Sequence, residues 1–144
     1  DDVNRLFDLA DEKYAVMCVQ HDYTPTEGTK MDGQQQTIYP RKNWSSVVLW
    51  NCGHESNRQV NRDLINNKDI KGKYLHRFSW LKDEEIGKIP HLWNWLAGWY
   101  HEPKDGSPKA IHYTEGGPWF ENYRFCEYHQ NWKDALSEMM TLKE

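Results

Sequence analysis

The chain has 144 residues, about one domain's worth, with 18 Lys and Arg against 22 Asp and Glu. A net charge of -4 and a pI near 6.0, spread without a basic face, argue against gripping nucleic acid or an anionic membrane through charge. Mean hydropathy is -1.00, and only 26 residues are Leu, Ile, Val or Phe, yet eight Trp and eight Tyr carry enough buriable area to exclude a disordered chain.

A core built from rings more than from aliphatics is expected. No run approaches the roughly 18 apolar residues of a membrane-spanning helix, and residues 1–20 do not read as a charged-then-apolar stretch of the signal-peptide kind. Cys18, Cys52 and Cys126 are odd in number and far apart. They imply neither a disulfide framework nor a zinc knuckle, so a reducing, cytoplasmic setting is the simplest reading. The start at Asp1 without Met suggests an excised piece of a longer protein.

In chain order, residues 3–9 suit a short helix ending near Ala10, and 14–19 form an apolar run that reads as a buried strand. Residues 23–36 lack period and are rich in Thr, Gly and Gln, which predicts an irregular loop. Residues 45–51 read as a second strand, and 57–66 as a short amphipathic helix capped by Ser56. A strand is expected over 73–80, one helical turn over 83–89 before Pro90, and a strand over 93–100 with Trp93, Trp95 and Trp99 on one face and Asn94 on the other. A turn at 103–108, a short strand at 109–113, a Gly-Gly loop at 114–118 and one or two helices over 119–142 complete the chain. With no repeat and no linker, the sum is a single α/β domain over residues 1–144, a mixed sheet with flanking helices.

The segment Ala110-Ile111-His112-Tyr113-Thr114-Glu115-Gly116-Gly117-Pro118-Trp119 carries the clearest chemistry. A His leaving a strand beside a glycine bend can meet a metal that carries a phosphate, while the bend lets backbone N–H groups approach closely. A tight turn with a hydrogen-bonded His is the plain alternative. His21 and His54 follow the first two strands, where α/β proteins place ligands, although each also reads as an ordinary loop residue.

His-x-x-x-Gly-Gly-Pro-Trp resembles the His-x-x-Gly-x-x-Lys-Pro-Trp signature of nucleotide-sugar glycosyltransferases with the GT-A fold, especially the retaining family 8 group related to glycogenin and bacterial galactosyltransferases. Three other segments are similar in the same order. They are Asp2-Val3-Asn4-Arg5-Leu6-Phe7, Asn43-Trp44-Ser45-Ser46-Val47-Val48-Leu49-Trp50-Asn51, and Asp83-Glu84-Glu85-Ile86 followed by Trp93-Asn94. The resemblance implies the C-terminal, acceptor-side portion of that fold. It implies His112 as a ligand of Mn²⁺ (or Mg²⁺), Gly116 and Gly117 against the diphosphate, and Ser45 and Ser46 toward the donor. Asp83 and Glu84 would act on the acceptor or the sugar, with Trp80 and Asn94 lining the acceptor side. Trp80 is singled out as the exposed ring among the tryptophans, since sugar C–H faces stack on indoles.

Two departures accompany the resemblance. The metal-binding Asp-x-Asp is absent and would fall just before residue 1, and the signature Lys is missing because the loop is one residue shorter. The expected partners are a nucleotide-sugar donor and a glycan acceptor, with the fragment alone inactive and prone to self-association through an uncovered sheet face. The rival readings are a carbohydrate-binding module working through its Trp cluster and a protein-interaction domain.

Overall fold

The computed structural model describes residues 3–22, 28–30, 33–36, 39–101, 103 and 106–141. Its elements in chain order begin with helix α1 (Asn4–Phe7), strand β1 (Val16–Cys18), and strands β2 (Gly28–Lys30) and β3 (Gln34–Gln36). Strand β4 (Val48–Trp50), helices α2 (Arg62–Asn66) and α3 (Gly72–His76), and strand β5 (Ile86–Lys88) follow. Strands β6 (Trp95–Leu96) and β7 (Ile111–His112) precede the terminal helix α4 (His129–Thr141). The architecture is mixed α/β, as composition and pattern lead one to expect.

The central sheet has the order β4-β1-β5. Strand β1 is antiparallel to β4, with Cys18 opposite Val48, and parallel to β5, with Met17 opposite Gly87. All three β1 residues are buried because both faces of the strand are covered. The pleat then divides them. Val16 and Cys18 join one cluster with Phe78, Trp80, Leu81 and Ile86. Met17 and Val19 join a second with Leu6, Leu49, Ile89 and Trp93. Burial drives the Cys18 thiol up to about 12, so it packs as a small apolar group. A separate pair, β6 parallel to β7, sets Leu96 opposite His112.

Several expectations are corrected. The loop over 23–36 holds an antiparallel hairpin, Gly28 opposite Gln36, with Gly33 in the left-handed region at φ 93°. Residues 23–27 and 31–32 of that stretch lie outside the described residues, as does Asp2 of the first motif. The strand expected over 73–80 is instead helix α3, which ends where Phe78 adopts φ 49°. Residues 57–66 split into a 3-10 turn, Glu55–Gln59, and α2, whose cap is Asn61; its Oδ1 accepts from the N–H groups of Asp63 and Leu64. Ser56 donates its hydroxyl to Glu85 instead. The helical turn over 83–89 is a 3-10 turn, Asp83–Glu85, running straight into β5. Of residues 93–100, only Trp95–Leu96 form a strand, after a 3-10 turn over His91–Asn94.

Candidate functional site

Sheet topology gathers the site. Because β4 runs antiparallel to β1, the start of β4 meets the end of β1, and parallel β5 ends at the same edge. His21 follows β1, Ser46 precedes β4, and Asn94 follows β5. Ligands of α/β proteins favour such strand ends.

Asn43 stands in the left-handed region at φ 60°, which asparagine tolerates better than most residues, and opens a 3-10 turn over Trp44–Ser46. That turn, not a strand, carries the two serines, so their directions follow helical turning and not alternation. Ser46 is exposed; its Oγ donates to the Asn43 carbonyl at 2.6 Å and accepts from Asn94 Nδ2 at 2.7 Å. Ser45 leads elsewhere, pairing with His76 Nδ1 of α3 at 3.2 Å.

Asn94 is fully buried and is the hub. Its Nδ2 reaches Ser46 and also His21 Nε2 at 2.9 Å, while Oδ1 has no hydrogen-bond partner. Asn43 Nδ2 donates to Thr114 Oγ1 at 3.1 Å, joining the glycine-bend segment to the same cluster. His21 is 6 % exposed, with Tyr100 Oη hydrogen-bonded to Nδ1. Its backbone carbonyl accepts from Trp44 Nε1 at 3.2 Å. Burial, and then the nearby His112 and His91, lower the His21 pKa to about 4. The structure therefore brings Ser46, Asn94 and the segment of His112 together.

His112 is half-buried on β7, and its carbonyl accepts from the N–H groups of Ala97 and Thr114. Among the described residues no group of three or more His, Cys, Asp and Glu could hold a metal ion.

Gly116 and Gly117 are buried, and rings occupy the space that a side chain would need. A Cβ on Gly116, at φ 150°, would sit 2.7 Å from Tyr123 Cδ2, and one on Gly117 would sit 2.1 Å from Trp119 Cζ3. Ring packing is sufficient to require glycine at both positions. In the segment that follows the bend, Arg124 lines a cavity of about 360 Å³ with Pro118, Trp119, Phe120 and Glu121.

Asp83 and Glu84 are exposed on their turn, and no hydrogen bond joins Asp83 to Asn94. Asp83 pairs with Arg41 at 2.5 Å, and the same guanidinium donates to the carbonyls of Arg77, Phe78 and Leu81. This fan of bonds ties the Asp83 turn to the segment that carries Asn43 and Ser46. Between them opens a cleft of about 550 Å³ whose walls include Trp44, Arg77, Ser79 and Asp83.

Trp80 is corrected from an exposed ring to a core one at 9 % exposure. Its indole N–H donates to Asn57 Oδ1 at 3.1 Å, and Trp50 stacks on it at 5.7 Å and 11°. The outer ring of that stack, Trp50, is the exposed one at 47 %.

Sequence reasoning did not single out Asn43, Thr114 or Tyr100. The Asn before the Trp-Ser-Ser turn was a signal for a left-handed residue. Thr114 and Tyr100 had no local signal, because their partners are fixed by tertiary structure. No helix among the described residues is long and apolar enough to cross a membrane.

No family model matches the chain, and no solved structure matches it. The chain is 53% identical over 140 residues to Protein CDI of Arabidopsis thaliana, in a match that takes in 95% of this chain and 53% of that protein. It therefore spans about half the length of the curated relative that it resembles.

Proposed function

We propose that the chain forms the sugar-facing and acceptor-facing portion of a GT-A-type glycosyltransferase that moves a sugar from a nucleoside diphosphate to a hydroxyl acceptor. The observation that carries this reading is the meeting of three distant segments at one sheet edge: Asn43 and Ser46, Asn94, and Thr114 beside His112. These are the segments whose sequences resemble the family's site elements.

Breaking the bond between sugar and diphosphate builds negative charge on the leaving phosphate and positive character on the sugar ring. When bound, a divalent cation neutralises that developing phosphate charge. His112 supplies one ligand, and on this proposal carboxylates of an upstream Asp-x-Asp supply others. Ser46 holds a sugar hydroxyl from a fixed direction, and Asn94 beneath it keeps that direction. Asp83, anchored by Arg41 in the cleft lined by Trp44, orients the acceptor hydroxyl. Such positioning converts an encounter into a near-attack geometry.

Calorimetric titration of UDP with Mn²⁺ into a form extended upstream through the Asp-x-Asp tests this. His112→Ala is expected to weaken metal-dependent UDP binding by about 10- to 100-fold without a comparable drop in melting temperature. Equal binding by both proteins would remove His112 from the site.

A second reading has its own observation. Trp50 and Trp119 are about half exposed and suit stacking on glycans. Glycan binding by the 144-residue chain without UDP or metal would favour a carbohydrate-binding module.

A further inference from the structure

The hydrogen bonds around Asn94 admit one arrangement of protons. The Asn43 carbonyl can only accept, so the single Ser46 hydroxyl proton is committed to it. Ser46 Oγ must then accept from Asn94, which fixes Nδ2 toward Ser46. Turning the amide over would set its carbonyl against an oxygen with no proton to give and against the Asn43 carbonyl, which lies 3.4 Å from Nδ2. With one amide hydrogen on Ser46, the other goes to His21 Nε2. That nitrogen must therefore offer a lone pair, and the neutral ring carries its proton on Nδ1, where it donates to Tyr100.

We infer that His21 is a positioning residue. Its ring accepts the second Asn94 hydrogen and so holds the amide in the orientation that the Asn43 carbonyl sets, in which Ser46 Oγ faces the site as an acceptor and selects a ligand hydroxyl over a phosphate. The burial of both groups supports a neutral ring, since charging His21 would aim an N–H at the Asn94 N–H in a place that water does not reach. The wholly buried Asn94 Oδ1, left without a partner, points the same way. The amide forgoes a bond on that side and keeps both of its hydrogens for Ser46 and His21. With its proton committed, the exposed Ser46 oxygen has only a lone pair to offer. A sugar O–H satisfies it, whereas a phosphate oxygen brings no proton at neutral pH. The ligand half of this inference rests on the transferase reading; the proton order does not.

Two readouts test the two halves separately. Nitrogen-15 spectra of the imidazoles at pH 7 are expected to show His21 protonated on Nδ1 alone. An Nε2–H tautomer or a doubly protonated ring would overturn the proton order. In the upstream-extended protein with Mn²⁺, His21→Leu is expected to weaken UDP-glucose about tenfold while leaving UDP within about twofold. His21→Gln, whose amide oxygen reaches the Nε2 position, should recover most of that loss. Equal weakening of both ligands, no weakening at all, or no recovery with Gln would overturn the positioning role. A wild-type protein that binds neither ligand would instead overturn the transferase reading and the ligand selection with it, while the ring tautomer still decides the proton order.

Discussion

Gly87→Ala is expected to lower folding stability by about 3 kcal/mol, at the upper end of the usual cost of overpacking a core. Gly87 lies at the middle of β5 and pairs with Met17 of the central strand. A Cβ there would come within 2.4 Å of Tyr14 Cδ2 and 2.7 Å of Met17 Cγ. Neither neighbour is a loose surface chain: Met17 belongs to a core cluster, and Tyr14 packs against it. Relief must come from moving β5, the strand that delivers the chain to Asn94. Urea unfolding should show a lower midpoint with an unchanged slope. A loss under about 0.5 kcal/mol would mean that the Tyr14 ring swings aside freely.

Acid is expected to unfold the protein in a window set by His21. Free histidine titrates at 6.5, and in the fold burial depresses His21 to about 4. Between these values the unfolded chain holds a proton that the folded chain refuses. The stability is at its full value above pH 6.5 and falls as the pH drops through the window, with a loss of about 3 kcal/mol by its lower end. His112 and His91 add like-charge repulsion in the same direction. Glu85, held low chiefly by the Ser56 hydroxyl, loses its contribution only below its ordinary value of 4.5, so its effect falls largely outside this window. Stability measured by urea at pH 7, 6, 5 and 4.5 should decline steeply in the wild type and much less in His21→Leu. Parallel declines would assign the acid sensitivity to other groups.

Local physics made part of this legible. A run of β formers without polar interruption can hide both faces only as a central strand, and β1 is one. The short strand expected over 109–113 is found as β7, which ends at His112 before the glycine bend. The path of residues 73–80 is not legible locally, because Tyr74, Leu75, Phe78 and Trp80 look like strand residues although α3 covers only Gly72–His76. Their true path depends on Phe78 adopting a left-handed conformation in the core, with its carbonyl and that of Arg77 bonded to Arg41 from 36 or more residues away. The same distance problem hid the fate of Trp80. Nothing near position 80 announces that Asn57 will accept its indole N–H and that Trp50 will cover it. Ser45 and Ser46 sit on a 3-10 turn set by Asn43 instead of a strand, neither is buried, and only Ser46 joins Asn94 while Ser45 pairs with His76.

The most direct test of the proposed transferase site is paramagnetic broadening by Mn²⁺ in the presence of UDP, followed residue by residue in the upstream-extended protein. Signals of the His112 ring and of Thr114 should broaden first, with those of the Asn94 amide close behind and those of Trp50 and Cys52 unaffected. Broadening confined to other residues, or none at saturating UDP, would contradict a metal and nucleotide site at His112.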